Sequence, residues 1–353
     1  MAPKYRQLSD RLLEVIYQNI EDGINKLPTE QELCAQYKVS RQTVRLSLSL
    51  LEEKGFIEKR QGSGSYITGH FQDRSQNVIA VLVNSENDYF YPSLLSDIQT
   101  FLSRHNFIPR IYVTGNDTFT ERGILTDLLE APPRVLLVEG CKSALPNPNL
   151  DLYENLKKKG VRFVFLHNQY PSFPDCTCIK DDNIGGSLLL VQELIKSGHT
   201  AIGGFFKSDD AQGIERYQGF MEAMRNALLP VPDHRIGWFN TGDLKNLRQQ
   251  FDTDFLKKLA QNHLKDCTAV ICYNNEIAYE LAKELKKMSF SVPDDIMIAS
   301  FDNTYLATYH DTAFLTIAHS LHEPGYPAAE AILNELKGIH TPSLELAWQV
   351  KGL

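Results

Sequence analysis

The sequence predicts an α/β protein whose larger part holds parallel sheets in two lobes, headed by a small helical domain that ends in a β-hairpin. Three observations predict this. Over residues 77–353, strand-sized apolar runs alternate with helical stretches, the pattern of parallel sheets covered by helices. Over residues 1–69, three helical segments lead into two β-prone runs around a glycine-rich turn. The charge also divides: residues 1–70 carry 10 basic and 9 acidic side chains, whereas residues 71–353 carry 26 and 35. The whole-chain value of −8 over 353 residues argues against a nucleic-acid binder only if charge is spread evenly, and it is not.

The elements follow in order. From Tyr5 to Asn19, with Ile20 beyond, Leu8, Leu12, Leu13, Val15 and Ile16 recur at helical spacing, and Asp22-Gly23 closes the helix. Thr29 is a natural N-cap for a second helix, and Glu32 completes a capping box. Leu33, Cys34, Tyr37 and Val39 supply its inner face. After a turn at Lys38-Val39, Ser40 caps a third helix, Arg41 to Glu53. Two short helices joined by a tight turn form a helix-turn-helix pattern. Val44, Leu48 and Leu51 hold the third helix inward, which leaves Arg41, Gln42, Thr43, Arg45 and Ser47 facing out. Arg pairs bidentately with guanine and Gln with adenine, so this is where base edges would be read. Gly55–Arg60 and Tyr66–Thr68, around Gln61-Gly62-Ser63-Gly64-Ser65, make a hairpin in the position of a wing. Its glycines let the backbone approach a minor groove or a phosphate. Residues 70–76 are short, polar and aperiodic, and read as a linker.

In the large part, the strand-like runs are Val78–Val83, Arg110–Val113, Val135–Val138, Arg162–Leu166, Ala201–Phe206, Ala269–Cys272 and Met297–Phe301. Helical stretches between them include Leu94–His105, Glu121–Leu129, Gly186–Ser197, Ile214–Asn226 and Ile277–Met288. This is long for one open sheet, so two lobes with a ligand between them are expected. Ligands sit beyond the carboxyl ends of parallel strands. Those ends offer Asp88, Tyr89, Phe90 and Tyr91; Glu139; His167 and Asn168; Asp181 and Asp182; Lys207, Asp209, Asp210 and, opening the next helix, Arg216; Tyr273, Asn274 and Asn275; Asp302 and Asn303; and His319. Carboxylates, amides, a guanidinium and aromatic faces suit a polyhydroxylated ligand. Strand ends are polar in any case, so each residue alone reads more readily as a loop or cap residue.

Other chemistry is disfavoured. The N-terminus lacks an apolar signal-peptide core and no apolar run is membrane-sized, which leads us to expect a cytoplasmic protein without a membrane partner. The six cysteines form no C-x-x-C pair and read as reduced thiols, so neither a metal nor a cofactor is expected. Gly185-Gly186 and Gly203-Gly204 are not a dinucleotide fingerprint and read as packing or capping. Asp pairs at Asp181, Asp209 and Asp294 suggest a receiver-like acid pocket, but a receiver is about half this size.

Two resemblances add to this reading. Pro28-Thr29-Glu30-Gln31-Glu32-Leu33, Val39–Arg45, Leu51–Gly55 and Gly62–Ile67 resemble the winged-helix domain of the gluconate-repressor (GntR) family. The resemblance implies DNA contacts by Arg41 and Arg45, with Lys4 on phosphate and the wing tip, Gln61, Ser63 and Gly64, in the minor groove. Ile184-Gly185-Gly186, Gly198–Gly203, Arg216–Phe220, Cys272–Ala278 and Val292–Asp302 resemble the effector domain of lactose/galactose-type repressors, a two-lobed periplasmic-binding-protein-like (type I) fold. The pairing of the two is similar to the arabinose repressors of Gram-positive bacteria, with local matches at Asp88-Tyr89, Val138–Leu145 and Phe206–Gly213. It implies a pocket that includes Tyr89, Glu139, Lys207, Arg216 and Asp302. The chain departs from this pattern at Gly140, where a proline is usual, at His167, where a smaller residue often lies, and at its Val350–Leu353 end.

The expectation is therefore a homodimeric transcriptional repressor bound to double-stranded operator DNA and released by a small sugar, most simply L-arabinose. Its effector site would draw on Tyr89, Glu139, His167, Asp181, Lys207, Arg216, Tyr273, Asn274, Asp302 and His319. The alternatives are another sugar, a polyol or a nucleobase as effector, or a sugar-processing enzyme fused to a DNA-binding domain. No Ser/His/Asp order, phosphate loop or metal constellation supports the enzyme.

Overall fold

A computed structural model of the chain describes residues 4–21, 24–53, 56–60, 63–67, 77–307 and 314–351. The chain divides into two compact units, Met1–Asn77 and Val78–Leu353. The expected helix stop at Asp22-Gly23, the linker at 70–76 and Gln61 lie outside the described residues.

The first unit is built on helices α1 (Lys4–Glu21), α2 (Glu30–Tyr37) and α3 (Arg41–Glu53), followed by the antiparallel hairpin β1 (Ile57–Arg60) and β2 (Gly64–Ile67). The Thr29 side chain caps α2 and Glu32 bonds back to the Thr29 backbone, so the capping box is complete. Lys38 ends α2 in the left-handed region, which turns the chain into α3. The Ser40 hydroxyl accepts the Thr43 N–H and so caps α3. Leu8, Leu12, Ile16, Leu27, Leu33, Val44, Leu48, Leu51, Ile57 and Ile67 form one core. One expectation is corrected: Ser47 does not face outward. It is fully buried and donates to the carbonyls of Tyr5 and Thr43. Positions 44, 47, 48 and 51 share one helical face, so its inward position follows from the same periodicity.

The second unit holds two six-stranded sheets. The first takes β3 (Val78–Val83), β4 (Ile108–Val113), β5 (Val135–Val138), β6 (Arg162–Leu166), β7 (Thr177–Asp181) and, late in the chain, β13 (Leu344–Leu346). The second takes β8 (Ile202–Lys207), β9 (Ile236–Phe239), β10 (Ala269–Cys272), β11 (Met297–Phe301), β12 (Leu315–Ala318) and β14 (Gln349–Lys351). The strand orders are β4-β3-β5-β6-β7-β13 and β9-β8-β10-β11-β12-β14, all parallel except β14, which runs antiparallel to β12. In each sheet, order reverses beside the first strand, and there the following loops part to opposite faces and leave a crevice.

Helices α4 (Tyr91–Arg104), α5 (Thr118–Glu130), α6 (Leu150–Lys158) and α12 (Gly325–Lys337) cover the first sheet. Helices α7 (Asn183–Lys196), α8 (Ala211–Asn226), α9 (Thr241–Gln250), α10 (Asp254–His263) and α11 (Asn275–Lys287) cover the second. Each sheet is buried on both faces. Ile79, Val81 and Val83 point into one core and Ala80 and Leu82 into the other, which is why β3 reads as an unbroken apolar run. The helices begin about one turn earlier than their apolar pattern suggests. Their first turns are polar and are held by caps such as Asp117 and Asp182. The chain crosses between lobes three times: after Asp181, between Ala318 and Gly325, and between Leu346 and Gln349.

Candidate functional site

In the first unit, Arg41 and Gln42 are exposed on the opening turn of α3, and Thr43 is half-buried with its hydroxyl 2.9 Å from that of Ser40. Arg45 is exposed one turn on, and its Nε donates to Glu30 at 2.9 Å. That pair orients the guanidinium but is open to solvent, so little energy is needed to exchange it for another partner. In the hairpin, the exposed Ser63 lies 2.6 Å from the Tyr66 hydroxyl, and Gly64 takes φ 109°, a conformation that disfavours any side chain. Lys26 and Arg60 lie over the Tyr66 ring, 5.3 and 4.6 Å from its centre. Sequence reading did not single out these two cations; pairing of the Lys26 backbone with Tyr66 brings the first onto the hairpin. The side chain of Lys4 lies outside the described residues, as does Gln61.

In the second unit, two adjoining cavities of about 110 and 370 Å³ open between the lobes and share Tyr89, Phe90, Gln212, Tyr273 and Asn274. All ten effector-site candidates line them. His167, Asp181, Arg216, Asp302 and His319 line the smaller, Glu139 and Lys207 the larger, and Tyr89, Tyr273 and Asn274 both. The topology accounts for this. β3, β5, β8 and β10 end at the two crevices, so the residues after them face one another across the cleft.

Loop residues carry the chemistry by adopting unusual backbone. Tyr89, His167 and Asp302 all take positive φ, at 60°, 64° and 87°. Such conformations cost about 1–3 kcal/mol each and persist where a site holds them. The Tyr89 hydroxyl reaches across the cleft, donating to Asp302 Oδ2 at 2.8 Å and accepting from the Asn275 N–H at 3.0 Å. Arg216 is buried between the Phe301 and Tyr273 rings, 4.0 and 4.9 Å from its guanidinium. It donates to Asn183 Oδ1 at 2.9 Å and to the Tyr273 carbonyl, and lies 3.9 Å from Asp181. Lys207 is buried between Asp209 at 3.1 Å and Asp210 at 2.6 Å, and Asp210 also accepts from the Tyr273 hydroxyl. Asn274 Oδ1 caps α11 by accepting from Ile277.

The carboxyls differ. Burial pushes Glu139 above the usual carboxylate range, although His167 faces it and its oxygens accept from Asn84 N–H and the Tyr91 hydroxyl. Burial likewise raises Asp302, against the pull of Arg216. Asp181 is also buried, but His167 and His319 hold it well below the usual range. His167 Nδ1 stands 3.5 Å from Asp181, and both its ring nitrogens are buried without a hydrogen-bond partner. Burial disfavours its charge, yet Asp181, with Glu139 behind it, raises its pKa. A buried imidazole with free hydrogen-bonding capacity at a cavity wall is suited to meet a polar ligand.

Further groups on the lining escaped sequence reading. Gln212 donates to Asp181 at 2.8 Å, Asn116 reaches Thr241 at 2.8 Å, and Arg248 joins Asp88 at 2.9 Å while its other nitrogens hold Glu276. Trp348 lies on the last crossover, fitted over Gly186, where an added Cβ would stand 2.7 Å from the indole. Asn116 follows a strand end and was within reach of that logic; a crossover or a mid-helix residue was not. Gly140 also gains a reason. A Cβ there would stand 2.2 Å from the buried Tyr170 hydroxyl.

The lining carries Asp88, Glu139, Asp181, Asp210, Asp302 and Glu323 against Lys207, Lys245, Arg216 and Arg248. This mixture of donors and acceptors, with His167 and His319 beside it, suits a ligand rich in hydroxyls. Among the described residues there is no cluster fit to hold a metal ion and no helix long and apolar enough to cross a membrane. All six cysteines are free.

Comparison with known proteins agrees with both halves. Residues 4–67 match the gntR family of bacterial regulatory proteins, and residues 191–346 match the periplasmic binding protein-like domain. An arabinose metabolism transcriptional repressor of Geobacillus stearothermophilus is 32% identical over 337 residues, covering 95% of this chain and 92% of that protein. A repressor of the same description from Halalkalibacterium halodurans is 28% identical and covers 95% and 89%. A solved structure of the transcriptional regulator CelR in complex with cellobiose superposes with a TM-score of 0.67 at 18% identity, covering 92% of this chain and 98% of that one.

Proposed function

As the chain belongs to the family of arabinose metabolism transcriptional repressors, and is thus a DNA-binding, sugar-responsive repressor rather than an enzyme, we propose that its effector is L-arabinose, bound in the cleft between the two lobes. One observation carries this reading. The cleft is lined from both lobes by buried polar groups that already bond across it, so a small neutral sugar can be enclosed only with the lobes together. Tyr89, Asp302 and His167 would meet its hydroxyls at one end and Glu139 and Lys207 at the other, with Arg216 between the acids. Aromatic faces at Phe90, Tyr273 and Trp348 offer surfaces for its C–H side.

On the DNA side, Arg41, Gln42, Thr43 and Arg45 would read the major groove, and Ser63 and Gly64 would follow the minor groove, with Lys4 and Gln61 as further contacts. The protein would act as a homodimer on a roughly palindromic operator, as two-fold symmetry favours. Lobe closure on the sugar would lower operator affinity. The test is a thermal-shift series with pentoses, hexoses and polyols, since a ligand specific to the folded state raises the melting temperature. L-Arabinose should give the largest shift, and a gel shift with the same sugar should show operator release. A larger shift with another sugar would replace arabinose. Oligomeric state follows from sedimentation of the intact protein, where a monomer would remove the dimer.

A further inference from the structure

The three crossovers between the lobes meet at one side chain. His319 lies on the second crossover, after β12. Its Nε2 stands 2.9 Å from Asp181 Oδ1, at the start of the first crossover, and its Nδ1 stands 3.1 Å from the carbonyl oxygen of Ala347, on the third. Its ring stacks on Trp348, also on the third, with centres 3.6 Å apart. The chemistry of these partners is decisive. A carbonyl oxygen can only accept, and so can an ionised carboxylate. A neutral imidazole has one donor, so it satisfies one partner and meets the other lone pair to lone pair. Both bonds form together only if both nitrogens carry hydrogen.

We propose that His319 is a positioning residue that acts as an imidazolium clasp on the hinge, joining all three crossovers, and that closing the cleft takes up a proton. His319 was expected to bind the effector. It does line the cavity, but both its nitrogens are committed to the chain, so it acts on the ligand through the hinge. Lobe opening would turn on these crossovers, and a shift of one past another would break one of the two bonds. The open form then has no need of the second proton.

The surroundings support this charge. Asp181 faces His319 from the end of β7 and Asp302 from the loop after β11. From α8, Arg216 stands by Asp181, and Gln212 donates to that carboxylate. His167, after β6, meets the other oxygen of Asp181. On the second crossover itself, Glu323 is occupied by the Ser320 N–H. Burial lowers the readiness of His319 to protonate, but Asp181, the Ala347 carbonyl and Asp302 together raise its pKa above the ordinary value. The sign follows from linkage. A closed form that holds the proton more tightly than the open form makes effector binding stronger at low pH, and the advantage fades as pH rises through the raised pKa of His319.

The proposal is tested on the intact protein in two ways. Calorimetry with the sugar that stabilises it, in two buffers of different ionisation enthalpy, counts protons taken up on binding. A net uptake of about 0.3 proton or more near pH 7.5 is expected, with affinity falling about threefold or more from pH 6.5 to 8.5. His319→Gln, which has a donor but cannot titrate, should abolish both, whereas His105→Gln, exposed at the end of α4 and outside the cleft, should leave them in place. Independently, 15N-histidine NMR of the free and sugar-bound protein should show an imidazolium resonance in the bound form at pH 7 that His319→Gln removes. A neutral His319 in the bound protein, or no proton uptake in the native chain, overturns the clasp. If L-arabinose fails to bind, the effector assignment falls; the clasp is then decided with the sugar that does bind, where a neutral ring in the bound form refutes it.

Discussion

Replacing Tyr89 by phenylalanine removes one oxygen atom and leaves the ring in place. That oxygen makes two bonds across the cleft: it donates to Asp302 Oδ2 at 2.8 Å and accepts from the Asn275 N–H at 3.0 Å. A hydrogen bond to a charged group contributes about 1.5–3 kcal/mol and a neutral one about 0.5–1.5 kcal/mol. The two together favour closure by about 2–4.5 kcal/mol. In the open form water satisfies the same groups, so the loss falls on closure more than on either lobe's own stability. The lower figure already reduces the closed population about thirtyfold, and apparent affinity falls in proportion to the competent fraction. Titration calorimetry with the stabilising sugar should show Tyr89→Phe binding more weakly by about thirtyfold or more, with unfolding of the free protein little changed. Asp302→Asn completes a double-mutant cycle, and the two changes should be non-additive by about 1 kcal/mol or more because they share one bond. An affinity within twofold of the native protein would refute the idea that this bond helps hold the lobes together.

Arg45→Ala should weaken operator binding by about 1–3 kcal/mol if the side chain makes a bidentate base contact, and an unchanged gel shift would remove it from the interface. Because the DNA-binding part has few cations, the same assay across a salt series should give a modest slope. Arg216→Ala should keep operator binding within about twofold yet lose release by sugar. It leaves Asp181 and Asp302 without their buried cation and Asn183 Oδ1 without its donor; a normal sugar response would rule Arg216 out. Gly140→Ala should lower the melting temperature by several degrees, since forcing a methyl into a packed site costs about 1–3 kcal/mol and the new atom meets the Tyr170 hydroxyl. An unchanged melting curve would show that Tyr170 moves aside freely.

The legible parts of the sequence were those where one physical rule acts alone. β3, β5, β6, β10 and β11 match their apolar runs at both ends because both faces are buried. Ile236–Phe239, interrupted by glycine and an exposed tryptophan, was not seen, nor were Leu344–Leu346 and Gln349–Lys351, which are short, largely exposed edge strands with no apolar signature. The candidate site was legible to the same extent. Parallel sheets gather strand ends, so Glu139, Lys207, Tyr273 and Asp302 could be listed without a structure. Trp348 and Arg248 could not, because one comes from a crossover and the other from a helix flank, and neither position is marked by a pattern in the chain. His319 shows a subtler gap. Its place at the cleft was foreseen, but its partners are 138 and 28 residues away in sequence, and only they reveal that its nitrogens serve the hinge.

The central claim is that sugar and operator compete through the conformation of one protein, and it is tested most directly by reciprocity. Sugar affinity is measured by calorimetry on the free protein and on the protein saturated with operator, and operator affinity with and without saturating sugar. Linkage requires the two ratios to be equal. The account predicts sugar binding that is weaker on the operator complex, by the same factor by which sugar weakens operator binding. Equal sugar affinity in the presence and absence of operator would contradict it.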